Sequence, residues 1–404
     1  MILPAWEMQV QIAGGKFTVG RAGVAILLIP ALFLLLRRNR RFLVADWFAA
    51  MTAAWGIAVS VYSHGFTYLA TAGAVSLEFF GGYVAGRAYL TNVRSLATFI
   101  RILKILMLAA LVLALGDNVT NSWITHDIAG KVFGMPALQP VFRGGMIRAT
   151  ASFDHPILFG VFCSIVAGIL LFWEKTSARR IMWVSLCLAG CVLSQSSASF
   201  MCLMLIIAAY SYDQVMGDVP ARWTAFWLFV FALFVAVIVV TDSPLGWIIS
   251  HLTLDPETGY YRILIWEKAF QFISYNPITG HTGPFGDQIL DATIDSIWLV
   301  FSLGYGVPMV VLLFLTNVAS IAAGGKHTAK TGPLQARMRL AFSIVLIIFM
   351  FAGLTVYFWN YIWIFWGVCL GIRTSLGEWA DHVEAGEPWR DRRETPLRVG
   401  SALT

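Results

Sequence analysis

The sequence consists largely of long apolar runs separated by short polar breaks, and this feature limits the possible folds most strongly. A helix needs roughly 20 mostly apolar residues to cross the hydrocarbon core of a bilayer. Charged residues make up only 12% of the 404 residues, whereas a soluble domain carries about 25%. A soluble fold of this size would lack the charge to cover its surface. We therefore predict an all-α, polytopic integral membrane protein.

The apolar runs predict about 11 transmembrane helices, with a range of 10 to 12. We expect these helices near residues 22–36, 44–62, 65–86, 99–115, 156–173, 181–194, 199–212, 223–241, 295–322, 338–355 and 357–372. Residues 1–372 are expected to form a single membrane domain, and residues 373–404 a polar cytoplasmic tail. The beginning of the chain lacks the basic start and the apolar core of a cleavable signal peptide.

Basic residues are distributed unevenly between the two sides of the predicted bundle. Most of the 28 Lys and Arg residues fall in one set of alternate breaks and in the tail, and basic short loops stay cytoplasmic. The other side receives seven: Lys16, Arg21, Lys131, Arg143, Arg148, Arg262 and Lys268. Two long loops, 116–155 and 242–294, then face the periplasm. Loops longer than about 15 residues are usually functional, so we expect the active face there.

Composition excludes several function classes. The net charge of +6 is spread over the breaks between apolar runs and forms no basic face for nucleic acid. All five cysteines lie inside apolar runs without CxxC spacing or a His cluster, so neither a zinc site nor a disulfide framework is indicated. No Walker loop is present, which argues against ATP hydrolysis in this chain. We find no internal repeat.

The first stretch that could carry chemistry runs from Arg143 to Pro156, where a long loop enters a helix. It places Arg143, Arg148, an Asp and His155 at the outer membrane surface. Pro156 suits the first helical turn, because its missing N–H would be unpaired there anyway. The alternative to a role in the chemistry is that these arginines only extend their charged groups into water at the end of the helix. This alternative is stronger for Arg143 than for Arg148.

The second stretch, 260–281, is predicted to be an amphipathic helix on the membrane surface that ends at Pro277 and Gly280. Tyr261 and Trp266 are expected to be interfacial anchors. Arg262 could pair with an acidic neighbour or bind a phosphate, and the sequence does not decide between the two. The aromatic cluster 357–363 could stack on sugar rings, although an interfacial aromatic belt is the commoner explanation.

The third stretch, 291–306, places Asp291 and Asp295 at the mouth of a long apolar helix. An ionisable group at membrane depth is costly and therefore a functional candidate. The alternative for Asp295 is a helix N-cap, which Asp fills well. For two other carboxylates in apolar runs, Asp46 and Glu78, we expect pairing with a neighbouring helix at least as much as a functional role.

These stretches, in this order, resemble the O-antigen ligase and O-antigen polymerase family, the Wzy-type exopolysaccharide polymerases. The resemblance lies in RATASFDHPILFG, in YYRILIWEKAFQFISYNPITGHTG and in DATIDSIWLVFSLGYGVP, with further agreement in LSQSSASF and in GGYVAGRAYL. It extends from about residue 20 to 370, and its specificity comes from the order, spacing and membrane placement of motifs that are weak individually.

The resemblance implies a bacterial inner membrane enzyme, active at its periplasmic face. It would transfer a sugar chain from undecaprenyl pyrophosphate to an acceptor hydroxyl, without a metal or another cofactor. By position, Arg148 and Arg262 would hold the pyrophosphate, with Arg143 as a third candidate. The general base stays open between Asp295, Asp291 and His155. A chain-length regulator or export complex is a further partner that such an enzyme would have.

The chain departs from the ligase members, which place a His where it has Asp295. The polymerase-like members more often have Asp followed by Asn or Ser, as in Asp295-Ser296, which favours joining of lipid-linked repeat units over transfer to another acceptor. A flippase for lipid-linked oligosaccharide is the alternative from another class. Transporters usually have paired halves with broken helices at matching positions, and we find no such symmetry in the sequence.

Overall fold

A computed structural model of the protein describes residues 1–12, 15–37, 40–219, 221–240, 256–281, 284–324 and 332–384. These ranges contain fifteen α-helices and two short antiparallel hairpins, which confirms the all-α prediction. The helices are α1 (Val19–Arg37), α2 (Val44–His64), α3 (Leu69–Tyr89), α4 (Val93–Thr120), α5 (Ile124–Phe133), α6 (Pro156–Trp173), α7 (Ser177–Ser194), α8 (Ser197–Val215), α9 (Arg222–Val240), α10 (Pro256–Tyr275), α11 (Gln288–Ala292), α12 (Ile297–Tyr305), α13 (Val307–Ala322), α14 (Pro333–Ala352) and α15 (Asn360–Glu384). The hairpins pair β1 (Gln9–Ile12) with β2 (Gly15–Thr18), and β3 (Phe142–Arg143) with β4 (Met146–Ile147).

Within the described ranges, seven helices are long and apolar enough to cross a membrane: α1, α2, α4, α6, α7, α8 and α14. The predicted runs 22–36, 44–62, 99–115, 156–173, 181–194 and 199–212 lie entirely within helices, and 223–241 does so as far as the described residues reach. The runs 65–86, 295–322, 338–355 and 357–372 include residues outside the α-helices. The chain is therefore a polytopic, all-α membrane protein. Hydrogen bonds join the loop between α4 and α6 to the turn after α7 and to the segment between α14 and α15, and the same segment binds the start of α12. These parts lie at one end of the bundle, which we call the long-loop end.

The bundle is organised around α6, which is buried along almost its whole length and is covered by α7, α8 and α14. A second tight pair is formed by α3 and α15. A Cβ atom at Gly371 would lie 2.1 Å from the carbonyl oxygen of Tyr83, so these two backbones approach to a distance that only glycine permits. Small residues allow this kind of close packing between membrane helices.

The predicted single helix over 295–322 is wrong, because Gly306 divides it into α12 and α13. Gly306 has φ 79°, and a Cβ atom there would lie 1.9 Å from the carbonyl oxygen of Ile278. The amide of Val307 donates to the carbonyl of Pro277 across 2.8 Å. The turn that follows α10 thus packs against the backbone between α12 and α13. This tertiary contact interrupts the helix although the apolar pattern of the sequence is continuous.

The predicted start of a polar tail at residue 373 also differs from the structure. Helix α15 continues to Glu384, and Arg373 and Glu378 are both buried. Arg373 donates to the carbonyls of Ile321 and Ala323 at the end of α13. These polar residues are paired inside the bundle, so they belong to the membrane domain. Residues 385–404 lie outside the described residues.

The two intramembrane carboxylates have structural partners, as expected. Arg87 forms ion pairs with Asp46 at 2.8 Å and with Glu378 at 2.7 Å, and Arg40 also pairs with Glu378. These contacts join α2, α3 and α15 at the end of the bundle opposite the long-loop end. Glu78 pairs with Arg21 at 2.9 Å. Removing one member of a buried pair costs about 3–5 kcal/mol, so this network holds the helices in register.

Candidate functional site

The first part of the candidate site is the loop that connects α4 to α6. It contains α5 and then the β3–β4 hairpin, whose turn residues Gly144 and Gly145 both have positive φ. Pro156 begins α6 in the first helical turn, as predicted, and His155 is its N-cap. The Nδ1 atom of His155 accepts a hydrogen bond from the amide of Ile157 at 3.2 Å. This bond leaves the other ring nitrogen, Nε2, available to the site.

Arg148 is almost fully buried, with 7% of its surface exposed. The indole of Trp123 donates to the Arg148 carbonyl at 2.9 Å, and the Arg148 Nε donates to the carbonyl of Ser194 at 3.3 Å. Burial, followed by the nearby charge of Arg143, lowers the pKa of Arg148 to about 10. The guanidinium therefore stays charged at neutral pH in a position where water does little to screen it.

Arg143 lies on β3 and is exposed. Its NH1 donates to the carbonyl of Gln195, in the turn between α7 and α8, at 3.1 Å. The charge of Arg143 acts on Arg148 and also on Arg262. The hairpin therefore brings a third guanidinium to the same region.

Arg262 lies on α10, in the stretch predicted to be an amphipathic helix. Ile265, Ala269 and Ile273 are the buried residues of this helix, and their spacing from Arg262 puts all four on one face. Burial lowers the pKa of Arg262, the charge of Asp295 acts in the opposite direction, and Arg143 lowers it further. Its Nε is buried and has no hydrogen-bond partner among the described residues. A buried donor without a partner costs about 1–3 kcal/mol, which favours a ligand at this position.

Asp295 lies in the extended segment before α12 and is partly exposed. The predicted alternative of an N-cap does not apply to it, because Ser296 occupies the N-cap of α12 and its Oγ accepts from the amide of Leu299. One Asp295 oxygen accepts from the Thr293 hydroxyl at 2.9 Å. The carboxylate therefore faces the site and is not used to begin the helix.

Asp291, the other predicted carboxylate, lies apart from this group. It is at the end of the short helix α11, where its two oxygens accept from the amides of Phe285 and Gly286 at 2.8 and 2.9 Å. In the described part of the chain, Asp291 lines neither of the cavities at Asp295. Its contacts close a loop.

Two cavities meet at Asp295. The larger has a volume of about 270 Å³ and is lined by His155, Ile157, Leu158, Thr293, Ile294, Asp295, Thr355, Val356, Tyr357 and Trp359. The smaller is lined by Arg262, Ile265, Trp266, Asp295, Ser296, Leu299, Leu354 and Thr355. Asp295 and Thr355 belong to both. The carboxylate thus lies at the boundary between a compartment with Arg262 and one with His155.

Electrostatic interactions connect five of the six candidate residues. Asp295 acts on Arg262 and on His155, and Arg148 also acts on His155. None of the three arginines forms a salt bridge with a carboxylate of the described residues. The three guanidinium groups are thus linked to one another through their charges, and Arg262 interacts directly with Asp295. Guanidinium groups match phosphate oxygens in a bidentate geometry and stay charged at any relevant pH, so the site fits a phosphorylated anion.

The protonation of His155 provides a prediction about stability. Burial and then the charge of Arg148 lower the pKa of His155 to about 4, from about 6.5 in the unfolded chain. The folded state therefore binds fewer protons between these values, so the free energy of unfolding should fall as the pH falls from about 6.5 to about 4. We expect His155→Gln to make this decrease shallower in thermal unfolding measured across that pH range. Equal pH dependence of both proteins would contradict the lowered pKa.

Eight of the ten residues that line the larger cavity are not among the predicted site residues, and Tyr357, Trp359 and Thr355 are three of them. For Tyr357 and Trp359 the sequence leaves sugar stacking as the less common alternative to an aromatic belt, and nothing in it indicates Thr355. The three residues lie on the connector between α14 and α15, which returns to the long-loop end beside Asp295. Asp154 supports this connector, because its carboxylate accepts from the indole of Trp359 at 3.1 Å and from the side chain of Asn360. Only the tertiary structure places these residues in the site.

A search of protein-family models finds no match for this chain, and a search of curated proteins finds none either.

Proposed function

We propose that the protein is a polymerase that joins oligosaccharide repeat units linked to undecaprenyl pyrophosphate into exopolysaccharide or O-antigen-type chains. The reaction would take place at the periplasmic face of the bacterial inner membrane. One observation carries the proposal: at the long-loop end of the bundle, Arg143, Arg148 and Arg262 form no salt bridge with a carboxylate among the described residues. Their charges act on one another, and Arg262 also interacts with Asp295. The motif resemblance to O-antigen polymerases supports the choice of substrate.

The arginines would bind the donor and stabilise its leaving group. A glycosyl pyrophosphate already contains a good leaving group, so the main task is to stabilise the charge that develops on the departing phosphate oxygens. Arg148 is buried and Arg262 is partly buried, so water screens their charges less than at the surface, and Arg143 adds a third charge. Preorganised charge of this kind is commonly a large contribution to catalysis.

Asp295 would accept the proton of the attacking hydroxyl. The acceptor oxygen would form the new glycosidic bond at the anomeric carbon, while the bond to the pyrophosphate breaks and the electron pair leaves with undecaprenyl pyrophosphate. General-base assistance typically contributes about 10²–10⁴-fold. Both substrates are attached to lipids in the same bilayer, so a shared groove would supply further acceleration through proximity. A single displacement of this kind inverts the anomeric configuration.

Reconstitution tests the proposal directly. Purified full-length protein in liposomes, supplied with the host's lipid-linked repeat units, should produce a ladder of polymer and release one undecaprenyl pyrophosphate for each bond formed. NMR of the product should show inverted linkages. Translocation of the units without a ladder would support a flippase, and transfer only to a different acceptor lipid would support a ligase.

A further inference from the structure

The larger cavity has an aromatic wall that the donor chemistry does not use. Burial alternates along residues 356–359, which belong to neither a helix nor a strand. Val356 and Phe358 are buried, and Phe358 packs against Phe349 and Trp366. Tyr357 and Trp359 are left partly exposed, and both line the cavity.

The wall is rigid and preorganised. The rings of Tyr357 and Trp359 stack, with centroids 5.4 Å apart and an angle of 30° between their planes. The Trp359 indole N–H donates to Asp154 at 3.1 Å, and Asp154 also accepts from the amide of Trp6 at 3.2 Å. The polar edge of Trp359 is therefore already satisfied, and the part of its ring that does not pack on Tyr357 or His155 lines the cavity.

The rest of the cavity offers polar groups. Thr293, Thr355, His155 and Asp295 supply hydroxyl, imidazole and carboxylate partners around the aromatic wall. A sugar ring has the matching chemistry, because its C–H face stacks on an aromatic ring and its hydroxyl groups donate and accept hydrogen bonds at the rim. The volume of about 270 Å³ lies just below the roughly 300–1,000 Å³ of pockets for drug-sized ligands, which suits a single sugar ring.

We propose that Tyr357 and Trp359 form a carbohydrate-binding subsite that takes one sugar ring of the acceptor glycan. The assignment to the acceptor rests on the proposed function: Arg262 lies in the other compartment, across Asp295. The hydroxyl groups of a sugar in this cavity would share the space with Asp295, which lines both compartments, whereas Arg262 lines only the smaller one. Asp295 is the group positioned to take the proton from one of them.

Two substitutions of Trp359 separate stacking from structural support. Trp359→Phe and Trp359→Leu both remove the hydrogen bond to Asp154, but only Trp359→Leu removes the aromatic face. The probe is the repeat-unit oligosaccharide released from the host's lipid-linked pool by mild acid. Calorimetric titration of full-length protein in lipid nanodiscs should show binding that is about tenfold weaker in Trp359→Leu and within about threefold of wild type in Trp359→Phe.

The subsite would be refuted if the wild-type protein did not bind the oligosaccharide, or if both variants lost the same amount of affinity. It would also be refuted if Trp359→Leu bound as tightly as the wild type, and Tyr357 and Trp359 would then be an interfacial belt. In the reconstituted reaction, Trp359→Leu should raise the KM for free oligosaccharide added as acceptor and change kcat little, whereas a higher KM for the donor alone would overturn the assignment to the acceptor. The titration needs no lipid-linked donor. Ring-dependent binding without polymer formation would therefore refute the polymerase and leave the carbohydrate subsite standing.

Discussion

Arg262→Ala should replace the polymer ladder with single repeat units when cell polysaccharides of the native host are separated on a gel. The variant removes a partly buried guanidinium whose Nε is buried and has no partner among the described residues and which lines the smaller cavity together with Asp295. Loss of one donor to a developing negative charge typically lowers kcat by about 10²–10³-fold. With polymerisation slowed by this factor, the polymer ladder should fall below detection on the gel.

Two further variants make this result specific. Arg262→Lys keeps the charge but loses the planar fork that matches phosphate oxygens, so we expect intermediate activity. Lys268→Ala changes a basic residue on the same helix whose partner is Asp287, at 3.7 Å, and which lines neither cavity among the described residues. This control should keep the ladder. An unchanged ladder in Arg262→Ala, with all three variants present in the membrane at equal amounts, would reduce Arg262 to an interfacial anchor.

The membrane fold could be predicted because lipid imposes one strong condition on the sequence. A spanning helix must be long and apolar, and most residues of the predicted runs lie in helices, seven of which are long and apolar enough to span among the described residues. The structure differs from the predicted helices where tertiary contacts determine the local conformation. Gly306 breaks an apolar run because the turn after α10 packs against its backbone. Arg373 and Glu378 look like the start of a solvated tail, but they are paired inside the bundle.

The site could be predicted only in outline. Motif positions indicated the arginines and His155, and in the structure Arg262 and His155 lie in the two cavities that share Asp295. The sequence could not separate Asp291 from Asp295, because the distinction depends on which carboxylate the loop at Phe285 uses. Nor could it assign Trp359 to the cavity, since aromatic residues at a membrane interface have the same pattern whether or not they face a ligand.

Asp295→Asn should decide which group is the base. The amide keeps the shape of the side chain and its contact with Thr293 but cannot accept a proton, so kcat should fall by about 10²–10⁴-fold while the KM for the donor changes little. His155→Gln should cost less, because the low pKa of His155 makes it a weak proton acceptor. Asp291→Asn, which alters a loop-closing carboxylate, should retain most of the activity. A larger loss in His155→Gln than in Asp295→Asn would transfer the role of base to the imidazole, whose Nε2 is the ring nitrogen left available by the N-cap hydrogen bond.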